Sequence, residues 1–198
     1  MIVLGVTGSV GMGKSTAAAM LRRLGIPVHD SDATVHRLLA PHGAAVTAIA
    51  KAFPEVRGAD GGIDRARLGR EVFGDPEALQ RLERILHPLV RRSQDRFLKL
   101  ARGRRVPIVA LDIPLLFETG GDRRCDRVVV VSAPAAVQRA RVMARPGMSE
   151  ARFRAILAKQ LPDAEKRRRA DYVVVSGLGR ALTFRRIERI VRSLQKGQ

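Results

Sequence analysis

The chain has 198 residues, 45% of them hydrophobic, which is enough for one substantial core and fits a single domain with insertions (1–198) better than two independent domains. Its one cysteine, Cys125, excludes an intrachain disulfide and a Cys-based zinc cluster, both of which need several thiols, and it favours a reducing compartment. The net charge of +18 suits a polyanionic small substrate, an anionic membrane surface or nucleic acid, but with only 4% aromatic residues the stacking platforms for nucleic acid are scarce, and no nucleic-acid partner is expected.

Ile2–Thr7 is a β-branched run that reads as a buried strand. It has no basic leader, and no later stretch approaches the roughly 18 apolar residues of a membrane helix, so a soluble, cytoplasmic protein with no membrane partner is expected. The next residues, Gly8-Ser9-Val10-Gly11-Met12-Gly13-Lys14-Ser15, match the G-x-x-x-x-G-K-S phosphate loop, and Thr16–Leu24 reads as the helix that follows it. Such a loop wraps a triphosphate closely enough for backbone N–H groups to donate to its oxygens, and Gly8, Gly11 and Gly13, with Met12 between them, permit the positive φ and the close approach this needs. The helix brings its positive dipole end, Lys14 a charge at the β/γ oxygens, Ser15 a hydroxyl for Mg²⁺, and Thr16 a further donor. The motif specifies the donor and a Mg²⁺ cofactor, and leaves the acceptor open. The chain has no Asn, so the Asn-Lys-x-Asp element by which GTPases read guanine is absent.

Ile26–His29 reads as the second strand and leads into His29-Asp30-Ser31-Asp32, with two carboxylates at the sheet edge where open α/β folds bind ligands. Asp32 either takes the proton of an acceptor hydroxyl or orients its oxygen, or it N-caps a helix beginning near Ala33; residue type leaves both open. Residues 31–105 carry helical patterns, Ala78–Leu86 and Leu89–Ala101 among them, broken at Pro54, Gly58 and Gly61–Gly62, and read as an inserted helical subdomain. His87, before Pro88, stands where a helix would end. Val106–Leu111, Arg127–Ser132 and Asp171–Val175 complete an α/β fold of three layers around a five-stranded parallel sheet, whose core comprises about 1–30, 106–138 and 170–198.

Asp112, at the end of the third strand, is a candidate Mg²⁺ partner beside Ser15, although phosphates and water could hold the metal equally well. Leu115, Leu116 and Phe117 read as core or pocket wall. Residues 139–169 set ten basic side chains against three acidic ones around Pro146-Gly147, the composition of a lid that closes over phosphates. Arg141 and Arg145, four apart, share a face if the helix persists; the plain alternative is a solvated basic surface, since 31 of the 37 basic residues are Arg and codon usage could supply part of that excess. Lys196 to Gln198 are expected to fray.

The phosphate loop is followed in order by Asp30-Ser31-Asp32, Asp60-Gly61-Gly62-Ile63-Asp64-Arg65, Leu86-His87-Pro88, Asp112-Ile113-Pro114-Leu115-Leu116-Phe117-Glu118, Asp126-Arg127 and Arg169-Ala170-Asp171. This series resembles the dephospho-CoA kinase family over nearly the whole chain. The resemblance implies a P-loop kinase fold and transfer of the γ-phosphoryl of ATP to the ribose 3′-hydroxyl of dephospho-CoA, with the helical insertion binding the acceptor and 139–169 as lid. It implies that Asp32 is the base and that Arg141 binds phosphate, with Arg145 a second ATP-binding candidate by its spacing alone, and that Asp32 and His87 face the acceptor, where either His36 or Arg37 takes the place of an expected arginine. A monomer or weak homo-oligomer is expected. The chain departs from the pattern in three places. His36, followed by Arg37, stands where the family has Arg; Pro146 follows Arg145 where it often has Asp; and Ser176-Gly177 replaces a late Asp-Asn pair. The last two are expected to leave the transfer machinery untouched. Another small-molecule or nucleotide kinase on this scaffold, or a basic nucleic-acid-binding ATPase, are the alternative readings.

Overall fold

The computed structural model describes residues 1–196. Lys196 closes the last helix, while Gly197 and Gln198, the other two residues of the expected frayed end, lie outside the described residues. Contacts divide the chain into two compact units, Met1–Asp30 with the chain from Ala101 on, and Ser31–Leu100.

The first unit holds the expected five-stranded parallel sheet. Its strands are β1 (Ile2–Thr7), β2 (Val28–Asp30), β3 (Ile108–Asp112), β4 (Arg127–Ser132) and β5 (Tyr172–Val175), in the order β2-β3-β1-β4-β5. Because side chains alternate along a strand, Leu4 and Val6 of β1 and Val129 and Val131 of β4 pack in one core with Ala17 of helix α1 (Lys14–Arg23) and Ile187 of the last helix of the chain, Arg180–Lys196. Val128 and Val130 belong to another cluster, with the expected core residues Leu116 and Phe117. Three strands start later than the sequence pattern suggests, at Val28, Ile108 and Tyr172. Pro27 and Pro107 precede two of them; proline has no N–H to give the ladder, although both prolyl carbonyls still accept from neighbours, Pro27 from Ala110 and Pro107 from Ile2. Asp171, before the third, uses its carboxylate instead, accepting the Val128 N–H at 2.8 Å. Asp126 does the same for Val3 at 2.7 Å.

The second unit is helical: α2 (Ser31–Leu39), α3 (Val46–Ala52), α4 (Arg65–Val72) and α5 (Pro76–Gly103), with Leu39, Ile49, Phe53, Val56, Leu68 and Leu82 in its core. Asp64 N-caps α4, accepting from Ala66 N at 2.9 Å and Arg67 N at 3.0 Å, so the Asp60–Arg65 motif is first a helix start. Helix α5 corrects the expectation of two helices parted at His87: it runs through Pro88 unbroken. A proline inside a helix costs about 3 kcal/mol. Here Ala78, Leu82, Leu86, Gln94 and Leu98, all buried at four-residue spacing or its double, keep one face in phase across the proline, while His87 and Pro88 are exposed.

In the first unit, α6 (Ala135–Met143), α7 (Glu150–Ala158) and α8 (Asp163–Arg169) follow β4, and Arg180–Lys196 is α9. Helix α6 ends at Met143, so Arg145 does not share a helical face with Arg141; a residue before proline avoids helical geometry, and Pro146 is next. Four of the ten basic side chains of 139–169 are paired within the segment, Arg139 and Arg154 with Glu150, and Arg168 and Arg169 with Glu165. Lys166 is wholly buried and pairs with Glu118 at 2.8 Å. Among the described residues, no helix is long and apolar enough to cross a membrane.

Candidate active site

β1 lies between β3 and β4, the position at which chain connections diverge to the two halves of the sheet, and ligands of open α/β folds collect at the carboxyl end of such a strand. The loop that leaves β1 there is Gly8–Gly13. Gly11 and Gly13 hold φ of 76° and 91°, the left-handed region, and Gly13 turns the chain into α1. Lys14, Ser15 and Thr16 form the first turn of α1, whose N–H groups point toward its N-terminal end. Ser15 is exposed and Thr16 half-buried.

Lys14 Nζ meets Asp112 Oδ1 at 2.7 Å, and Asp112, at 2% exposure, is the last residue of β3. The β-ladder sets this encounter, since Asp112 is in register with Val6 of β1 on one side and with Asp30 of β2 on the other. Asp30 faces Arg22 at 3.6 Å. Three predicted features, the loop lysine and two strand-end carboxylates, thus gather at one sheet edge. As a test for Mg²⁺, the donor set is a hydroxyl at Ser15 and a carboxylate at Asp112; among the described residues no group of three His, Cys, Asp or Glu side chains could hold a metal by itself. That suits Mg²⁺, which takes one or two protein ligands and fills its octahedron with phosphate oxygens and water.

Met12, expected with the phosphate-binding residues, is turned inward. It is buried, its N–H donates to Ser9 O at 3.1 Å, and its sulfur accepts the Ala133 N–H at 3.0 Å. Arg141, in α6, lies against the loop: Nη1 donates to Ser176 Oγ at 2.8 Å and Nη2 to Ser176 O at 2.9 Å, with Gly11 O 3.4 Å from Nη1. Ser176 Oγ in turn donates to Met12 O at 2.6 Å. The expectation that the Ser176-Gly177 departure leaves the machinery untouched is therefore corrected: Ser176 joins Arg141 to the phosphate loop. Sequence position gave one available signal, because Ser176 directly follows β5 and so stands at the same carboxyl edge as the loop. Arg145 is exposed, outside the helix.

In the second unit, Asp32 is the second residue of α2, which begins at Ser31, so the alternative of an N-cap before a helix starting near Ala33 is corrected: the helix starts two residues earlier. Asp32, His36 and Arg37 are all exposed on this helix. Arg37 Nη2 donates to Thr34 Oγ1 at 2.9 Å, back along its own helix. His36 Nδ1 instead approaches Arg65 Nη1 at 3.5 Å, so a guanidinium from α4 stands beside the histidine that replaces the family's arginine. His87 is not gathered with these by any contact of the described residues, and lies exposed midway along α5.

A sequence model described as dephospho-CoA kinase matches residues 2–178. The dephospho-CoA kinase of Paramagnetospirillum magneticum is 63% identical over 167 residues, 84% of this chain and 78% of its own length. That of Mesorhizobium japonicum is 54% identical over 195 residues, 98% of either chain. A crystal structure of a Thermus thermophilus protein, TT1252, superposes with a TM-score of 0.84 at 40% identity, over 97% of this chain and 96% of that one.

Proposed function

The chain belongs to the dephospho-CoA kinase family, and on that premise we propose that it transfers the γ-phosphoryl of ATP to the ribose 3′-hydroxyl of dephospho-CoA, giving CoA and ADP. The observation that carries the chemistry is the phosphate loop at the central strand with Lys14 held 2.7 Å from Asp112 at its mouth. Phosphoryl transfer asks little covalent work of a protein; positioning and charge do most of it. With the Val10 and Met12 N–H groups occupied by protein acceptors, the N–H groups of Gly11, Gly13 and the first turn of α1 are the donors for phosphate oxygens. Lys14 balances charge at the β/γ oxygens. Ser15 and Asp112 are the residues that would hold Mg²⁺, which, when bound, neutralises charge on the same oxygens.

Asp32 accepts the proton of the 3′-hydroxyl, or fixes that oxygen in line with the γ-phosphorus. On the acceptor side, His36 acts with Arg65, and Arg37 does not, because its guanidinium is turned to Thr34. Residues 139–169 serve as the lid, with Arg141 spreading its guanidinium over the transferring phosphoryl and Arg145 a more exposed second cation. The side-chain position of Arg141 depends on Ser176. Ser176→Ala, which removes the Oγ bonds from Arg141 and to Met12 O, is expected to lower kcat about two- to tenfold, the worth of the Arg141 bond, with little change in the KM for dephospho-CoA. In an Arg141→Ala background the same change should cost almost nothing; an equal loss in both backgrounds would reduce Ser176 to a structural role.

The assignment is tested by the site of the new phosphate. ADP release should depend on dephospho-CoA and not on AMP, CMP, shikimate or nucleic acid, and phosphorus–proton correlation spectra of the product should place the added phosphate on the ribose 3′-oxygen. Phosphate on any other oxygen overturns the proposal.

A further inference from the structure

Val10, at the apex of the phosphate loop, has both of its backbone polar groups held by side chains from distant parts of the chain. Gln138 Nε2 donates to the Val10 carbonyl at 2.8 Å. The Val10 N–H donates to Gln160 Oε1 at 3.1 Å. These glutamines bracket α7 and the chain leading to it: Gln138 immediately precedes the basic segment within α6, and Gln160 lies inside the segment, between α7 and α8. We propose that Gln138 and Gln160 are positioning residues that set the apex of the phosphate loop from the two ends of the stretch between them, which makes up most of the basic segment, and so couple the placement of that stretch to the affinity for ATP.

Both ends are themselves fixed. Gln138 is 6% exposed, and one helical turn later on α6 Arg141 is bonded to Ser176 and the loop. Gln160 is followed by Leu161, whose N–H donates to Glu118 Oε1 at 2.8 Å, and Glu118 carries the buried pair with Lys166. The grip therefore transmits force: a shift at either glutamine pulls on one of the two peptide units that meet at the Val10 Cα. The backbone of α6 also lies close to the loop at this point, since a Cβ on Gly11 would come within 2.9 Å of the Gln138 carbonyl. Glutamine suits both positions for opposite reasons. Position 138 requires a donor to a carbonyl, position 160 an acceptor from an N–H, and an amide supplies either.

That polarity makes isosteric replacement informative. Glutamate keeps the shape and the acceptor of glutamine but loses its donor. Gln138→Glu would turn an oxygen toward the Val10 carbonyl oxygen, whereas Gln160→Glu keeps a bond to the Val10 N–H. The proposal rests on the loop binding ATP and not on the identity of the acceptor, so the readout is equilibrium binding of a fluorescent ATP analogue to the full chain, with kinetics second. Gln138→Met and Gln160→Met, which each lose one hydrogen bond, should weaken binding about two- to tenfold. Gln138→Glu should weaken it about tenfold or more, because it sets a charge against a partly buried carbonyl that has lost its donor. Gln160→Glu should stay closer to wild type than Gln160→Met does. In kinetics the KM for ATP should rise in parallel while that for dephospho-CoA holds. Equal loss in both glutamate variants would mean that added negative charge alone acts on the phosphates, and wild-type binding in both methionine variants would mean that the grip is idle; either result overturns the proposal. Thermal melts of each variant identify loss of folding, and a melt lowered with unchanged ATP affinity in the folded fraction also counts against it.

Discussion

Asp32→Asn will leave the fold and ATP binding in place while turnover falls about a hundred- to ten-thousand-fold, the range over which a positioned proton acceptor contributes to rate. Asparagine matches aspartate in shape and still accepts hydrogen bonds, but it cannot take a proton. Asp32 is exposed in the first turn of α2, where a negative charge complements the helix dipole, a contribution worth about 0.3–1 kcal/mol. The measurement pairs kcat with nucleotide binding and a thermal melt. Asp30→Asn is the comparison: Asp30 is engaged with Arg22 at 3.6 Å, a half-exposed pair whose loss should be felt weakly. Near-normal turnover in Asp32→Asn sinks the assignment, and a collapse only in Asp30→Asn moves the role two residues back.

Lys166→Ala will destabilise the fold by about 3–5 kcal/mol, the cost of breaking a buried ion pair by removing one partner. Lys166 has no solvent exposure and Glu118 little, so the carboxylate left behind has no ready access to water. Replacing both partners by apolar residues, Lys166→Met with Glu118→Leu, should recover a large part of the loss, because the desolvation of two charges disappears with their attraction. Urea midpoints for the two variants and the wild type decide it; a double variant no better than Lys166→Ala contradicts the account. The same pair gives a pH signature. Burial pushes the Glu118 carboxyl up, but the bond from Lys166 and the Leu161 N–H outweigh it, and the net position is below the ordinary glutamate value. A carboxyl depressed in the folded state contributes stability that is present above its unfolded pKa and lost as pH falls through the folded one. Acid should therefore weaken the wild type over that window, and in Lys166→Ala this loss should shrink or reverse, because burial without the cation favours the protonated Glu118 carboxyl in the folded state.

The parts of the molecule legible in the sequence are those whose cause is local. Ile2–Thr7 and Arg127–Ser132 are read to the residue because an unbroken apolar run between turn signals is how a strand buried on both faces looks. The phosphate loop is read because its glycines, lysine and helix are contiguous. The errors occur where distant residues decide. Pro88 reads as a break, and the helix continues because residues spaced along its whole length share one buried face. Ser176, Gln138 and Gln160 carry no motif of their own, and their bonds to the loop span separations of 164, 128 and 150 residues. No window of sequence contains both partners. His36 is the intermediate case: the departure from the family is visible in the sequence, but Arg65 as its neighbour, 29 residues on, requires the fold.

The carboxylates of Asp126 and Asp171 bear on a question of counting. From Val128 to Val131 β4 is four valines in a row, and β5 follows with three from Val173 to Val175. Sliding one such strand by a residue normally turns core side chains outward and is rejected for that reason, but a valine run presents valine to both faces whichever way it slides. Hydrophobicity is thus nearly blind to phase here. An aspartate just ahead of each run supplies the missing origin: Asp126 can receive the Val3 N–H, and Asp171 the Val128 N–H, only when the strands are aligned as found, with Leu4 beside Arg127 and Val129 beside Tyr172. These two side chains act as the zero marks of the sheet, and since the phosphate loop and Ser176 are carried on β1 and β5, the alignment of the nucleotide site is set at the opposite end of the strands from the site itself.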